Sequence, residues 1–399
     1  MKRAGRFLWV LLLCIAMLFM ILDSKTALRS AQEGLSLCIQ TVIPSLFPFM
    51  VITSVLTGVF GGTQFAIFRP FSRFCKMTPG TESLLLVGLI GGYPVGAKCI
   101  YEAWSSGQIT KADAHRFLGF CNNAGPSFIF GMCSVLFKDP LDVWFLWGIH
   151  ILSALLVGHF IPKTKGKSET NPKLQSISFP EAMKNATAAI MSVCGWVIIF
   201  RVIITFMKRW VLWLLPGSWI ILFEGVLELT NGCASLQSLG SAGIRFVLCA
   251  TFLGFGGLCV ALQTASVVGQ LGTGMYFPGK VAQGFLSCCF AGIYASMKYQ
   301  ICSPALPCAA LIIVAAVFAL KKTVAFLTKH VYNEGNDRKG EKQCYSGRKL
   351  QSPAAIVPAE QRSTMSRSFA SKEASYLQMA SAVNLYTTPA NEFPLSPKH

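Results

Sequence analysis

The sequence predicts an all-α polytopic membrane protein built from two inverted repeats, each with a broken, re-entrant helical hairpin. Three observations predict it. Of the 399 residues, 53% are hydrophobic and 13% charged, about half the charge share of a soluble domain, and the mean hydropathy is +0.53. Several apolar runs approach the roughly 18–20 residues that cross a bilayer. Two apolar regions, one in each half, are interrupted by residues that end helices: Gly91-Gly92-Tyr93-Pro94 and Gly254-Phe255-Gly256-Gly257. At membrane depth, irregular backbone survives only where protein buries it or a watery cavity bathes it.

The chain divides at 1–29 (an N-terminal span), 30–161 (first repeat), 162–178 (a polar cytoplasmic linker), 179–328 (second repeat) and 329–399 (a basic tail). Lys2, Arg3 and Arg6 precede the apolar run from Phe7 to Leu22. We expect a retained first span with a cytoplasmic N-terminus; a cleaved signal stays open, although no good cleavage site follows. Gly34 to Phe60 reads as a second span kinked by Pro44 and Pro48. Beyond a basic connector, Ser83 to Ile100 is too broken for a plain span and suits a hairpin. A polar helix then starts at Thr110, followed by apolar segments Phe117–Phe137, broken at Asn122 to Pro126, and Leu141–Ile161. Four lysines place the linker in the cytoplasm. In the second half, Phe179–Met207 reads as a span and Trp210–Leu229 as a segment carrying Glu224 and Glu228. The broken stretch at Leu253–Gln263 and a last apolar segment, Pro304–Leu320, follow. Sliding the chain by 165 residues lays Gly91-Gly92 on Gly256-Gly257, Val95 on Val260 and Lys98 on Gln263. Similarly broken segments in two halves point to a transporter site at a repeat interface. The tail lacks the apolar content to fold alone.

The polar groups inside these apolar regions are the candidate substrate site. Gly92, Tyr93, Pro94, Gly256 and Gly257 free backbone groups at the breaks, where a beginning half-helix suits an anion. Lys98 offers a ligand countercharge; the bland alternative is snorkelling to the interface. Asn122 and Asn123 offer amides, or cap the helix broken at Gly125-Pro126. Gln263 is the uncharged partner of Lys98 by repeat position. Glu224 and Glu228 are one helical turn apart and predict a shared face, with proton or cation coupling as their role unless the interface keeps both wet. Thr230 and Asn231 add donors and acceptors. The net charge of +18 sits mostly in connectors and tail, as topology and anionic lipid require, and no nucleic-acid motif accompanies it. Expected partners are a small-molecule solute and membrane lipid, with homo-oligomerisation left open. The fifteen cysteines show no CxxC spacing and read as small core residues rather than a metal or disulfide framework. We expect no cofactor, no metal and no enzyme, since no nucleophile elbow, Walker loop or HExxH motif occurs.

Gly91-Gly92-Tyr93-Pro94-Val95-Gly96-Ala97-Lys98, Ser106-Gly107-Gln108-Ile109-Thr110 and Phe120-Cys121-Asn122-Asn123-Ala124-Gly125-Pro126 resemble the YlbJ-type sporulation integral membrane proteins of the nucleoside-recognition, or Gate, family. Ser45-Leu46-Phe47-Pro48-Phe49, Leu227-Glu228-Leu229-Thr230-Asn231-Gly232 and Gly254-Phe255-Gly256-Gly257 extend the resemblance over roughly residues 30 to 320. One position departs: Ala261 stands where a histidine is expected, so no role can rest on that imidazole. The resemblance implies a bacterial multi-pass protein made during sporulation, in the cell or forespore membrane. It also implies a distant likeness to concentrative nucleoside transporters and movement of dipicolinic acid. A nucleoside carrier and a structural protein of the spore membrane are the alternatives.

Overall fold

The computed structural model describes residues 2–60, 66–163, 178–301, 303 and 307–311, and every regular element among them is helical. They belong to one compact unit, Met1–Phe318. Most of the linker, most of the expected last segment and the whole tail lie outside the described residues.

Helix α1 (Lys2–Leu22) carries the N-terminal apolar run, and its side chains from Leu13 to Leu22 face outward, as lipid contact requires. Asp23 caps the next helix by accepting the Thr26 N–H. That helix, α2 (Ser24–Leu37), passes through a π turn at Cys38–Val42 into α3 (Ile43–Phe60). The span they form, Ser24–Ile52, begins earlier than the expected Gly34. Pro44 has no N–H to offer one turn back, and the wider winding falls immediately before it.

After the short α4 (Arg69–Phe74) comes a pair, α5 (Glu82–Ile90) and α6 (Val95–Ser105), parted by Gly91–Pro94. Nine and eleven residues make helices about 14 and 17 Å long, so neither crosses a core about 30 Å thick. The arms fold side by side. A Cβ on Gly88 or on Gly96, either side of the tip, would overlap the same carbonyl oxygen, that of Cys121. Only glycine permits that approach, and it lays the segment 119–125 in the crook of the hairpin. This segment parts α7 (Lys111–Leu118) from α8 (Pro126–Gly131); α9 (Pro140–Phe160) then gives a full span.

The second half opens with α10 (Phe179–Trp210), a 32-residue candidate span. It runs antiparallel to α2–α3: Gly34 sits against Ile198 and Arg201, whereas the later Cys38 thiol bonds the carbonyl of the earlier Cys194. Antiparallel pairing of the leading spans is what inverted halves require. Next, α11 (Gly217–Leu227) and α12 (Leu229–Ser235) form a second hairpin, so close that a Cβ on Gly232 would overlap the Gly225 backbone. Then α13 (Ala242–Phe255) and α14 (Gly257–Val268) form one candidate span, Ala242–Leu271, broken at Gly256. The last long helix among the described residues, α15 (Tyr276–Tyr299), packs on α13, with Gly254 against Gly284 and Ser287.

Both halves therefore repeat one order: long span, short hairpin, broken pair, long helix. This corrects the 165-residue register. The counterpart of Gly91–Pro94 is the turn at Glu228, and Gly256-Gly257 interrupts a span instead of forming a hairpin tip. Lys98 and Gln263 are consequently not equivalent.

Candidate functional site

The four breaks converge. A cavity of about 40 Å³ is walled by Gly92 and Tyr93 of the first tip, Ala124 and Gly125 of the first broken pair, Glu228 to Thr230 of the second tip, and Val260 and Gln263 of α14. Phe128 of α8, with Leu46 of α3 and Val193 of α10, one from each leading span, completes it. Gly256 lies at its edge with a left-handed φ of 82°, and a Cβ there would stand 3.0 Å from the Tyr93 hydroxyl. The volume holds a few waters; pockets for small organic ligands run to roughly 300 Å³ or more.

Among the sequence-predicted residues, Gly92, Tyr93, Glu228, Thr230 and Gln263 reach this cavity. Pro94, joined to Tyr93 by a cis peptide, starts α6 instead, and Gly257 packs on the backbone of Leu229. Lys98 is corrected: its side chain is about half exposed and its partner is Glu102, 3.9 Å away on the next turn. The asparagines are braces. Asn122 accepts from the Ala97 N–H at 3.2 Å and donates to Thr264 Oγ1 at 3.0 Å, tying α6 to α14. Asn123 donates to the carbonyls of Gly88 and Phe120 at 3.0 and 2.7 Å.

Glu224 and Glu228 do not share a helix face. The helix ends at Leu227, and Glu228 takes an extended conformation at φ −147°. Its carboxylate accepts the Thr230 and Asn231 N–H groups at 3.0 and 2.6 Å and the Asn231 amide at 2.8 Å, capping α12. Glu224 turns away to Lys208 at 2.8 Å. Asn231 lies behind the cap and accepts from Arg201, which also pairs with Glu33.

Lys280 was missed. It is 1% exposed on α15, and its ammonium donates to Asn123 Oδ1 at 2.9 Å and Gln283 Oε1 at 2.8 Å. The same ammonium stands 5.2 Å from the Tyr93 ring and 6.0 Å from that of Tyr276. No carboxylate among the described residues pairs with it. Gln283 reaches on to the His150 carbonyl at 3.4 Å, and the His150 ring nitrogens, Ser153 Oγ, Ser287 Oγ and Tyr93 Oη are buried without hydrogen-bond partners. Buried polar atoms in that state call for water or a ligand. The sequence signal was a Lys and a Gln three residues apart in an apolar stretch, flanked by Pro278-Gly279 and Gly284.

No family model matches the chain, and no solved structure matches it. The chain is similar to the "Sporulation integral membrane protein YlbJ" of Bacillus subtilis (strain 168), at 25% identity over 314 residues, covering 67% of this chain and 77% of that protein. Together with the apolar spans, this makes the chain an integral membrane protein, and the likeness supports the YlbJ-type family that its motifs resemble.

Proposed function

We propose that the chain is a sporulation-associated membrane transporter that moves a small polar or aromatic solute, dipicolinate-like in size and charge, through the cavity between the hairpin tips. One observation carries this reading. Both hairpins, both leading spans and both broken segments contribute to a single cavity at the interface of the halves, largely apolar in its walls, with Tyr93, Glu228, Thr230 and Gln263 as its polar side chains, the position where repeat-built transporters hold their solute. At its present volume the cavity admits no aromatic ring, so transport requires the tips to part. The Lys280 cation behind Tyr93, with no carboxylate partner, favours an anion over a neutral nucleoside. Glu228 is the coupling candidate, because an anionic solute beside it demands a proton or a cation on that carboxylate.

Uptake of dipicolinate and, separately, uridine into vesicles tests it, with wild type, Tyr93→Ala and Gln263→Ala at equal expression. We expect dipicolinate uptake by wild type and losses of about tenfold in each variant, the worth of one ligand hydrogen bond near 1.4 kcal/mol. Full uptake by both variants would sink the site. No uptake of either solute by wild type would sink the transporter.

A further inference from the structure

We propose that Cys133, Cys233 and Cys249 form a three-sulfur site for a soft monovalent metal ion, with Cu(I) as the class. The spacing of these residues in the chain gives no hint of it, but the fold brings their sulfurs within 4.8 Å of one another. Each comes from a different element: Cys133 from the turn after α8, Cys233 from α12 and Cys249 from α13. All three are free thiols, none more than 1% exposed, in an apolar core with Leu136, Leu236 and Phe246.

The geometry is nearly made. Metal–thiolate bonds of about 2.3 Å put three sulfurs about 4.0 Å apart around a central ion, so a contraction of less than about 1 Å suffices. The donor set narrows the ion. Hard cations take oxygen ligands, and structural zinc closes with a fourth ligand. No His, Asp or Glu among the described residues joins this group. Soft sulfur donors without a fourth partner suit Cu(I). A tether between the segments is present as well. Arg245, one turn before Cys249, donates through Nη1 to the Leu136 carbonyl, three residues after Cys133, and through Nη2 to that of Leu239, both at 2.9 Å. Its Nε is buried without a hydrogen-bond partner. Arg245 therefore tethers segments that carry two of the three sulfurs and holds them in place.

Binding requires no redox step. Each sulfur that forms a metal bond gives up its proton to solvent, and the ion enters and stays as Cu(I). The site is independent of the solute cavity, so the test uses no solute.

Full-length protein, purified reduced in detergent, is titrated with Cu(I) against the chromophoric chelator bicinchoninate. We expect one Cu(I) per chain and a sulfur-to-copper ultraviolet band. Cys133→Ala and Cys249→Ala should each weaken retention at least about tenfold, while Cys14→Ser and Cys288→Ser leave it unchanged. Should the alanine variants fail to fold, copper-edge X-ray absorption on wild type decides. A shell of three sulfurs supports the site, and any other shell overturns it. Failure of wild type to hold Cu(I), equal retention by the alanine variants, or a disulfide within the trio would also overturn it.

Discussion

The two hairpin tips solve one problem with different chemistry. Each must reverse the chain at membrane depth, where the orphan backbone groups of two helix ends find no water. At the first tip the turn is made of backbone: Gly92 at a φ of 75°, then a cis Tyr93–Pro94 peptide, braced by Asn122 and Asn123 from the next segment. At the second, one side chain does the work, the Glu228 carboxylate taking the first free N–H groups of α12. Because neighbours brace the first turn, the Tyr93 hydroxyl is left without a partner, in front of a buried ammonium. The second tip has its functional group tied into the fold. The cavity thus has an acid built into one lip and a cation held behind the other. This suits the proposed transport of an anion, which must be held and then released.

The largest effects should come from breaking the hairpins themselves. Gly96→Val at the first and Gly232→Val at the second each drive a side chain into neighbouring backbone, the Cys121 carbonyl in one case and Gly225 in the other. We expect at least about 3 kcal/mol of destabilisation for each, beyond ordinary overpacking, since backbone must move. Thermal unfolding in detergent reads it. Tolerance of Gly96→Val would show that segment 119–125 does not lie against the first hairpin, and tolerance of Gly232→Val that α11 and α12 do not lie side by side.

Removing the acid should separate the tips. Glu228→Ala takes the cap from α12 at a cost of about 0.5–2 kcal/mol, whereas Glu228→Gln keeps one acceptor and loses less. If Glu228 also couples transport, the Gln variant should stay folded while the dependence of uptake on a proton or cation gradient disappears. A Gln variant with unchanged coupling would confine Glu228 to its cap.

Lys280→Met inverts that pattern. It relieves a buried charge but leaves two amide oxygens unpaired, and these opposing terms should keep stability within about 2 kcal/mol of wild type. Dipicolinate uptake should nevertheless fall about tenfold or more, which vesicle assays read directly. Unchanged uptake would mean that the first tip carries no charge for the solute.

Much of this was legible in the sequence, and the misses share a cause. Apolar content and length gave the membrane class, while glycine and proline marked three of the four breaks, because those residues act on the backbone where they stand. Gly92 and Tyr93, which line the cavity, were candidates for that local reason, whereas Glu228 and Thr230 were candidates as polar groups in apolar sequence and Gln263 through a repeat register that the fold does not keep. What failed was orientation. The Glu224–Glu228 spacing implies one helix face only if the helix continues, and it stops at Leu227. Asn122 and Asn123 looked like ligand readers because nothing local reveals that Ala97, Gly88 and Thr264 engage their amides. Lys280 and the cysteine trio depend on contacts between the two halves, such as Lys280 to Asn123, 157 positions away, and Cys133 to Cys233 and Cys249, which periodicity within either half cannot register.

The smallest effect expected is the most telling correction. Lys98 stands on the first hairpin, four residues after the tip, and was the obvious countercharge in a stretch otherwise apolar. On α6, however, Ala97 and Cys99 to either side are buried and Lys98 points outward, 3.9 Å from Glu102. An exposed pair at that spacing is worth about 0.3–0.5 kcal/mol. Lys98→Ala should therefore cost at most about 0.5 kcal/mol in detergent stability and leave uptake within about twofold of wild type. Measured beside Lys280→Met, it makes the comparison sharp, because both variants remove one positive charge from the same region of the fold. A loss with Lys280→Met alone assigns the countercharge to the buried ammonium behind Tyr93. A loss with Lys98→Ala alone would return it to the outer face of α6 and place the solute path outside the cavity.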